Sequence, residues 1–177
     1  MPDTSITKNA LARSMKKLMA RKSFAKISVG DICEGCGMNR KSFYYHFKDK
    51  YDLMNWMFYT DFIEMVSLQS YEDGWQLMES VAELFYKDQE FYKNALKTEG
   101  QNSFREYFLE SMTPIVFYFF EDVSEDELDR DIIVNMFCDA FLSAIIRWLE
   151  MGCRITPKEL MLHIRRMVKV IAESAGA

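Results

Sequence analysis

The chain has 177 residues, nearly half of them apolar and 15% aromatic, which supplies a substantial core and excludes disorder over most of the length. Seven glycines and three prolines are few breakers, so helices are favoured over a turn-rich sheet protein. A net charge of −5 would argue against nucleic acid, but residues 1–50 hold 11 Lys/Arg and 4 Asp/Glu while residues 51–177 hold 11 and 23, so a head of +7 sits on a body of −12 and points to a polyanion.

The start, Met1 to Thr7, is polar and lacks an apolar signal core, and no window of 18 uninterrupted apolar residues follows. The four cysteines, Cys33, Cys36, Cys138 and Cys153, make no disulfide framework in a chain this long. A cytoplasmic protein with no membrane partner is expected.

In chain order, Ile6, Ala10, Leu11, Met15, Leu18 and Met19 step by three and four, which predicts a first helix ending near Ser23. Phe24 and Ile27 are candidate core anchors in the connection. Ser28 can cap a short helix, with Asp31 three residues on and Val29 and Ile32 as its apolar side. Gly35 and Gly37 interrupt, and Gly37 suits a left-handed turn. Asn39 is the next cap, and Phe43 and Phe47 share one face of the helix that follows. A short helix, a glycine-bearing turn and a second helix is the helix-turn-helix plan, whose second helix buries one face and offers the other to the major groove.

Phe43 and Phe47 would bury. That leaves Arg40, Lys41, Ser42, Tyr44, Tyr45 and His46 for DNA. Arg40 and Lys41 can reach guanine edges or phosphates, and Tyr44 and Tyr45 offer a hydroxyl to phosphate and a ring to sugar or thymine methyl. Lys50 and Ser28, at helix starts, can meet phosphates. For His46 a second reading stands beside this one, a bond to a backbone carbonyl at the helix end. Cys33 and Cys36 form a C-x-x-C pair without a second pair nearby, and read as small core residues rather than metal ligands.

From Tyr51 to about Gln69 the pattern is apolar over a wide arc, as in a helix buried on more than one side. Glu72-Asp73-Gly74 breaks it, and helices near 75–86, 88–97 and 102–121 follow. Ser124-Glu125-Asp126-Glu127 matches a capping box for a helix running to about Met151, before Gly152. Thr156-Pro157-Lys158-Glu159 is a second box, opening a helix to about Ser174.

Two stripes mark these last helices: Ile133, Phe137, Phe141, Ile145 and Trp148, then Leu160, Ile164, Met167 and Ile171. Paired with a second chain they would make a four-helix dimer interface; as internal core they would need no partner. The middle is rich in aromatics, from Trp56 and Phe62 through Phe85, Tyr92, Phe104 and Phe108 to the run Phe117-Tyr118-Phe119-Phe120. They read as core or as pocket lining, and no effector-binding residue is assigned.

The run ISVGDICEGCGMNRKSFYYHFKDKYDLM resembles the DNA-binding head of the tetracycline-repressor (TetR) family of bacterial regulators, over about residues 5–55. The resemblance implies DNA contacts at Arg40, Lys41, Tyr44, Tyr45, His46 and Lys50, a phosphate contact near Ser28, a homodimer, and a small effector bound in the body. Many members carry glycine or proline where Lys41 stands, so the operator does not carry over. The stretches FLSAIIRWLEMGCRITPKELMLHI and YYHFKDKYDLMNWMFY are similar to the dihydroxyacetone-kinase operon regulators of that family. In that group the signal can arrive through an effector-carrying partner protein.

The expected fold class is all-α: a three-helix head with the helix-turn-helix (1–50) and a larger helical regulatory and dimerisation domain (51–177), with about nine helices in total. No phosphate-cradling glycine loop, zinc-ligand set or nucleophile elbow occurs, and His46 and His163 stand far apart, so no enzyme, metal or cofactor is expected. The expected partners are double-stranded DNA and a second copy. The alternative is a helical protein-binding adaptor that keeps the fold without binding DNA.

Overall fold

The structure is a computed structural model and describes residues 4–68, 71, 73–98, 103–119 and 126–175. Among these residues it has nine α-helices and no strand, in line with the expected fold class. They are α1 (Thr4–Met19), α2 (Val29–Glu34), α3 (Arg40–His46), α4 (Lys50–Leu68), α5 (Gly74–Lys87), α6 (Gln89–Leu96), α7 (Phe104–Phe119), α8 (Glu127–Glu150) and α9 (Pro157–Ala175). A short 3-10 turn, Phe24–Lys26, joins α1 to α2.

The head is α1 to α3. Leu11, Met15 and Met19 of α1 are buried with Phe24, Ile27, Ile32, Phe43 and Phe47, so the expected core face of the reader helix is the one used. The Ser14 hydroxyl donates to the Ile32 carbonyl at 2.7 Å, and α1 passes so close to Gly35 that a Cβ there would strike this hydroxyl. Gly37 takes the left-handed φ of +68° that the turn needs.

The caps form locally. The Ser28 hydroxyl accepts the Asp31 amide at 3.1 Å, and the Asp31 carboxylate accepts the Ser28 amide at 2.7 Å. Asn39 accepts the Ser42 amide at 2.8 Å, and Thr156 with Glu159 closes the box ahead of α9. The start of α8 differs from expectation. Its cap is Asp126, which accepts the Asp129 amide at 2.9 Å, while Ser124 and Glu125 lie outside the described residues, as does Phe120. An aspartate next to the first turn satisfies a freed amide as the serine was expected to, but two residues further along the chain.

Asp31 makes the head acid-sensitive. The Ser28 amide, then the Lys22 ammonium and the Ser28 hydroxyl, hold its carboxyl at about 2, below its ordinary 3.8. A depressed carboxyl adds stability that is complete above the unfolded value and is lost as pH falls toward the folded one. Amide protection in α2 is therefore expected to decline between pH 4 and pH 2, a window set by those two values. In Asp31→Asn it should already be low at neutral pH and flat below. A decline in both variants alike would place the sensitivity elsewhere.

The body surrounds Phe58 of α4. Six further rings, Phe62, Phe85, Tyr92, Phe104, Tyr107 and Phe108, have centroids between 5.4 and 6.4 Å from its own. Such edge and offset contacts add to plain area burial. The Tyr92 hydroxyl is buried there without a hydrogen-bond partner. Helix α8 lies mainly against α7 and α6, and α9 against α5. By length and composition α8 is the one described helix that could cross a membrane. Here Val134, Cys138, Phe141, Leu142, Ile145, Trp148 and Leu149 of α8 are buried inside the protein.

This changes the expected pairing stripe. Phe141 (3% exposed), Ile145 (0%), Trp148, Leu160 and Ile164 already face their own chain, and Ile133 and Phe137 are half-buried. Trp148 also stacks on Tyr86 and donates its Nε1–H to the Ile155 carbonyl at 2.9 Å. Met167 and Ile171 are exposed. The apolar rows left facing outward are Leu128, Ile132 and Met136 on α8, and Leu162, Met167, Val170 and Ile171 on α9. On α8 the outward row is offset by one position from the expected stripe, about 100° around the helix.

Candidate nucleic-acid interface

Helix α3 is seven residues long and presents its outer face at the end of the head. Tyr45 is 81% exposed and Tyr44 is 58% exposed, with the Tyr44 ring resting edge-on against Phe43. Lys41 is exposed beside them. The Ser42 hydroxyl and amide both turn back to the Asn39 side-chain oxygen. That oxygen locks the first turn of α3, where Arg40 and Lys41 stand.

Arg40 is exposed, and its guanidinium lies across the first turn of α2. A Cβ at Gly30 would come within 2.8 Å of its Nη2. The glycine thus makes room for the arginine, which can extend from this position toward a groove. His46 is half-buried, with the Tyr45 ring edge-on at 4.9 Å and Phe47 at 6.4 Å.

Lys41, Ser42, Tyr45, His46 and Asn39 line one side of an open cleft of about 460 Å³. Thr4 and Thr7, at the start of α1, line the other. The sequence reading missed these two threonines. Their signal was available: positions 4 and 7 share a helix face on which the next apolar core residue, Leu11, also falls, and their hydroxyls extend that face past the core.

Two expected phosphate contacts are otherwise engaged. The Ser28 hydroxyl donates to Asp31 at 2.9 Å, and that carboxylate beside it would repel a phosphate. The Lys50 ammonium donates to three backbone carbonyls, Phe24 at 2.9 Å, Ala25 at 3.3 Å and Ile27 at 2.8 Å. It also lies 4.5 Å from the Phe24 ring centre. An ammonium has three protons, and in this arrangement all three are engaged. Burial pushes the Lys50 pKa down, against the attraction of Asp31 and Asp49. Lys50 is a clasp on the turn between α1 and α2.

The C-x-x-C cysteines serve the head's interior. Cys33 is buried, and the half-buried Cys36 donates its thiol to the Ile32 carbonyl at 3.3 Å. Burial pushes both thiols up, away from the thiolate that metal or redox chemistry needs.

A basic, capped reader helix on an acidic helical body is the build of a bacterial transcription regulator. Residues 14–56 match the family profile described as bacterial regulatory proteins, tetR family, and residues 73–170 match a transcriptional regulator C-terminal region of the same group. The chain belongs to the tetR family.

It is 34% identical over 76 residues to the HTH-type dhaKLM operon transcriptional activator DhaS of Lactococcus lactis subsp. lactis (strain IL1403). That match spans 43% of this chain and 41% of the relative. Among solved structures, the dihydroxyacetone kinase operon activator DhaS has a TM-score of 0.67 at 22% identity, covering 93% of this chain and 95% of that one. A tetR-family regulator from Syntrophomonas wolfei str. Goettingen has a TM-score of 0.68 at 16% identity, covering 95% of each chain. NalD of Pseudomonas aeruginosa, the secondary repressor of the MexAB-OprM multidrug efflux pump, has a TM-score of 0.66 at 16% identity, covering 94% of this chain and 97% of that one. At these identities the structural likeness speaks for the fold alone.

Proposed function

We propose that this regulator binds a palindromic operator as a homodimer, with α3 of each copy in the major groove and DNA affinity controlled through the body. The observation that carries the reading is the outer face of α3: Lys41, Tyr44 and Tyr45 exposed together, on a head of charge +7. Lys41 and Arg40 supply charge for phosphate and guanine, and the two tyrosines supply hydroxyls and rings. Residues 1–50 are the DNA-binding part and 51–177 the regulatory and dimerisation part, with Lys50 at the junction. Thr4 and Thr7 join the contact set, while Ser28 and Lys50 act as supports.

The copies pair through the outward rows of α8 and α9, where Leu128, Ile132, Met136, Leu162 and Val170 offer apolar surface to a twin. The controlling signal is a small effector or a partner protein that carries one, and the protein works in the cytoplasm. The 76-residue match to DhaS supports a place among regulators of the dihydroxyacetone-kinase type.

The test is binding to duplexes selected from a random pool, measured across salt concentrations. A protein that neutralises phosphates loses affinity steeply as salt rises, and a flat response would overturn the reading. Arg40→Ala is expected to cost roughly 1–3 kcal/mol at the selected site and to relax one base position. Equal loss on all sequences would make Arg40 a phosphate contact only.

A further inference from the structure

Two polar ties run from α1 of the head into the body. Midway along α1, the Lys16 ammonium bonds Asp88 at 2.5 Å and Asp61 at 3.4 Å. At its end, the Asn94 side-chain amide of α6 donates to the Met19 carbonyl at 2.8 Å. Asp61 belongs to α4, and Asp88 is the corner residue between α5 and α6. A single ammonium on the head therefore joins two separate segments of the body. Its position is further defined by the Phe91 ring, whose centre is 5.5 Å away.

The surroundings make this ammonium hard to replace. A cleft of about 370 Å³ beside it is lined by Asp61, Glu64, Glu83 and Asp88 against Lys16 and Lys87, four carboxylates to two ammoniums. Without Lys16, Asp61 and Asp88 would face each other across the seam. Burial lowers the pKa of Lys16, but the bond to Asp88 and the charge of Asp61 outweigh it and leave it raised. Burial pushes the Asp61 carboxyl up, with Lys16 opposing. The partners are each about a third exposed, so the pair adds little stability by itself. What it supplies is orientation: with α1 fastened to α4 and to the α5–α6 corner, the head has one angle on the body.

We propose that Lys16, acting through Asp88 and Asp61, sets the half-site spacing that the dimer accepts, as a specificity-determining residue that touches no base. The inference rests on the operator-binding reading above. Two heads held at fixed angles match one separation of half-sites, and a head free to tilt matches several.

The experiment uses the full chain and the selected operator, with versions having one base pair added or removed at its centre. Wild type is expected to bind the altered spacings roughly tenfold or more weakly. Lys16→Met and Asp88→Asn should keep binding the selected operator and narrow that ratio to about threefold or less, and Lys16→Arg should restore it. In the DNA-free protein, amide exchange in α1 and α6 should quicken in both weakened variants while α8 is unchanged. An unaltered spacing ratio would overturn the proposal, as would an equal loss on every spacing, the mark of a phosphate contact. If even wild type binds no selected duplex, the operator reading fails; exchange in α1 and α6 then decides whether Lys16 fastens the head to the body, and unchanged rates reject it.

Discussion

Replacing Met136 and Val170 together by aspartate is expected to turn the protein into monomers and to weaken operator binding by about 10²–10⁴-fold, the range that linking two binding modules supplies. Both side chains are exposed, Met136 at 67% and Val170 at 56%, so neither substitution buries a charge within its own chain. Surface changes of this kind usually move stability by no more than about 0.5 kcal/mol. In a two-fold interface each change occurs twice, so four carboxylates would enter the apolar contact. Sedimentation velocity reads the mass, and far-ultraviolet circular dichroism checks that the helices persist. Dimers that survive would move the pairing surface to another face. Phe141→Asp cannot serve here: its site is sealed inside the protomer, and an unpaired carboxylate there would unfold the body before any interface were tested.

Lys50→Met is expected to destabilise the head by about 1.5–3 kcal/mol, the usual contribution of hydrogen bonds to a charged group. The loss leaves the Phe24, Ala25 and Ile27 carbonyls without their shared donor and removes the cation from the Phe24 ring. Urea unfolding followed by amide signals of the head measures it. Operator binding should fall along with stability and recover at lower temperature, where the turn re-forms. A phosphate contact would behave otherwise: stability would hold, and the salt slope would drop by about one. The two outcomes separate a residue that shapes the reader from one that touches DNA.

What the sequence made legible was local. Ser28 with Asp31, Asn39 with Ser42, and Thr156 with Glu159 cap their helices within three residues, and Gly37 turns where a left-handed residue was needed. Phe43 and Phe47 at helical spacing gave the buried face of α3, and so by difference its outer face. Long-range geometry stayed hidden. Lys50 reads as a free cation at a helix start until the fold brings the Phe24–Ile27 carbonyls, more than 20 residues away, around it. Lys16 finds Asp61 and Asp88 across 45 and 72 positions. On α8, apolar residues occur on several sides, so periodicity alone cannot say which row faces inward. Neighbouring rows 133-137-141 and 132-136 are equally apolar, and only the fit against α6 and α7 chooses between them.

Helix α4 begins at Lys50, in the clasp on the head's turn, and its 19 residues end at Leu68 in the body. At 1.5 Å per residue it is a rod of about 28 Å. A tilt of about 5° pivoting at its far end would carry Lys50 sideways by roughly 2.5 Å, and opposite tilts in two copies would change the distance between readers by about 5 Å. One base-pair step is about 3.4 Å, so this small rotation exceeds a whole step of the double helix. A signal need not reshape the body to silence the reader; a few degrees at one end of this lever put the two copies out of phase with their half-sites.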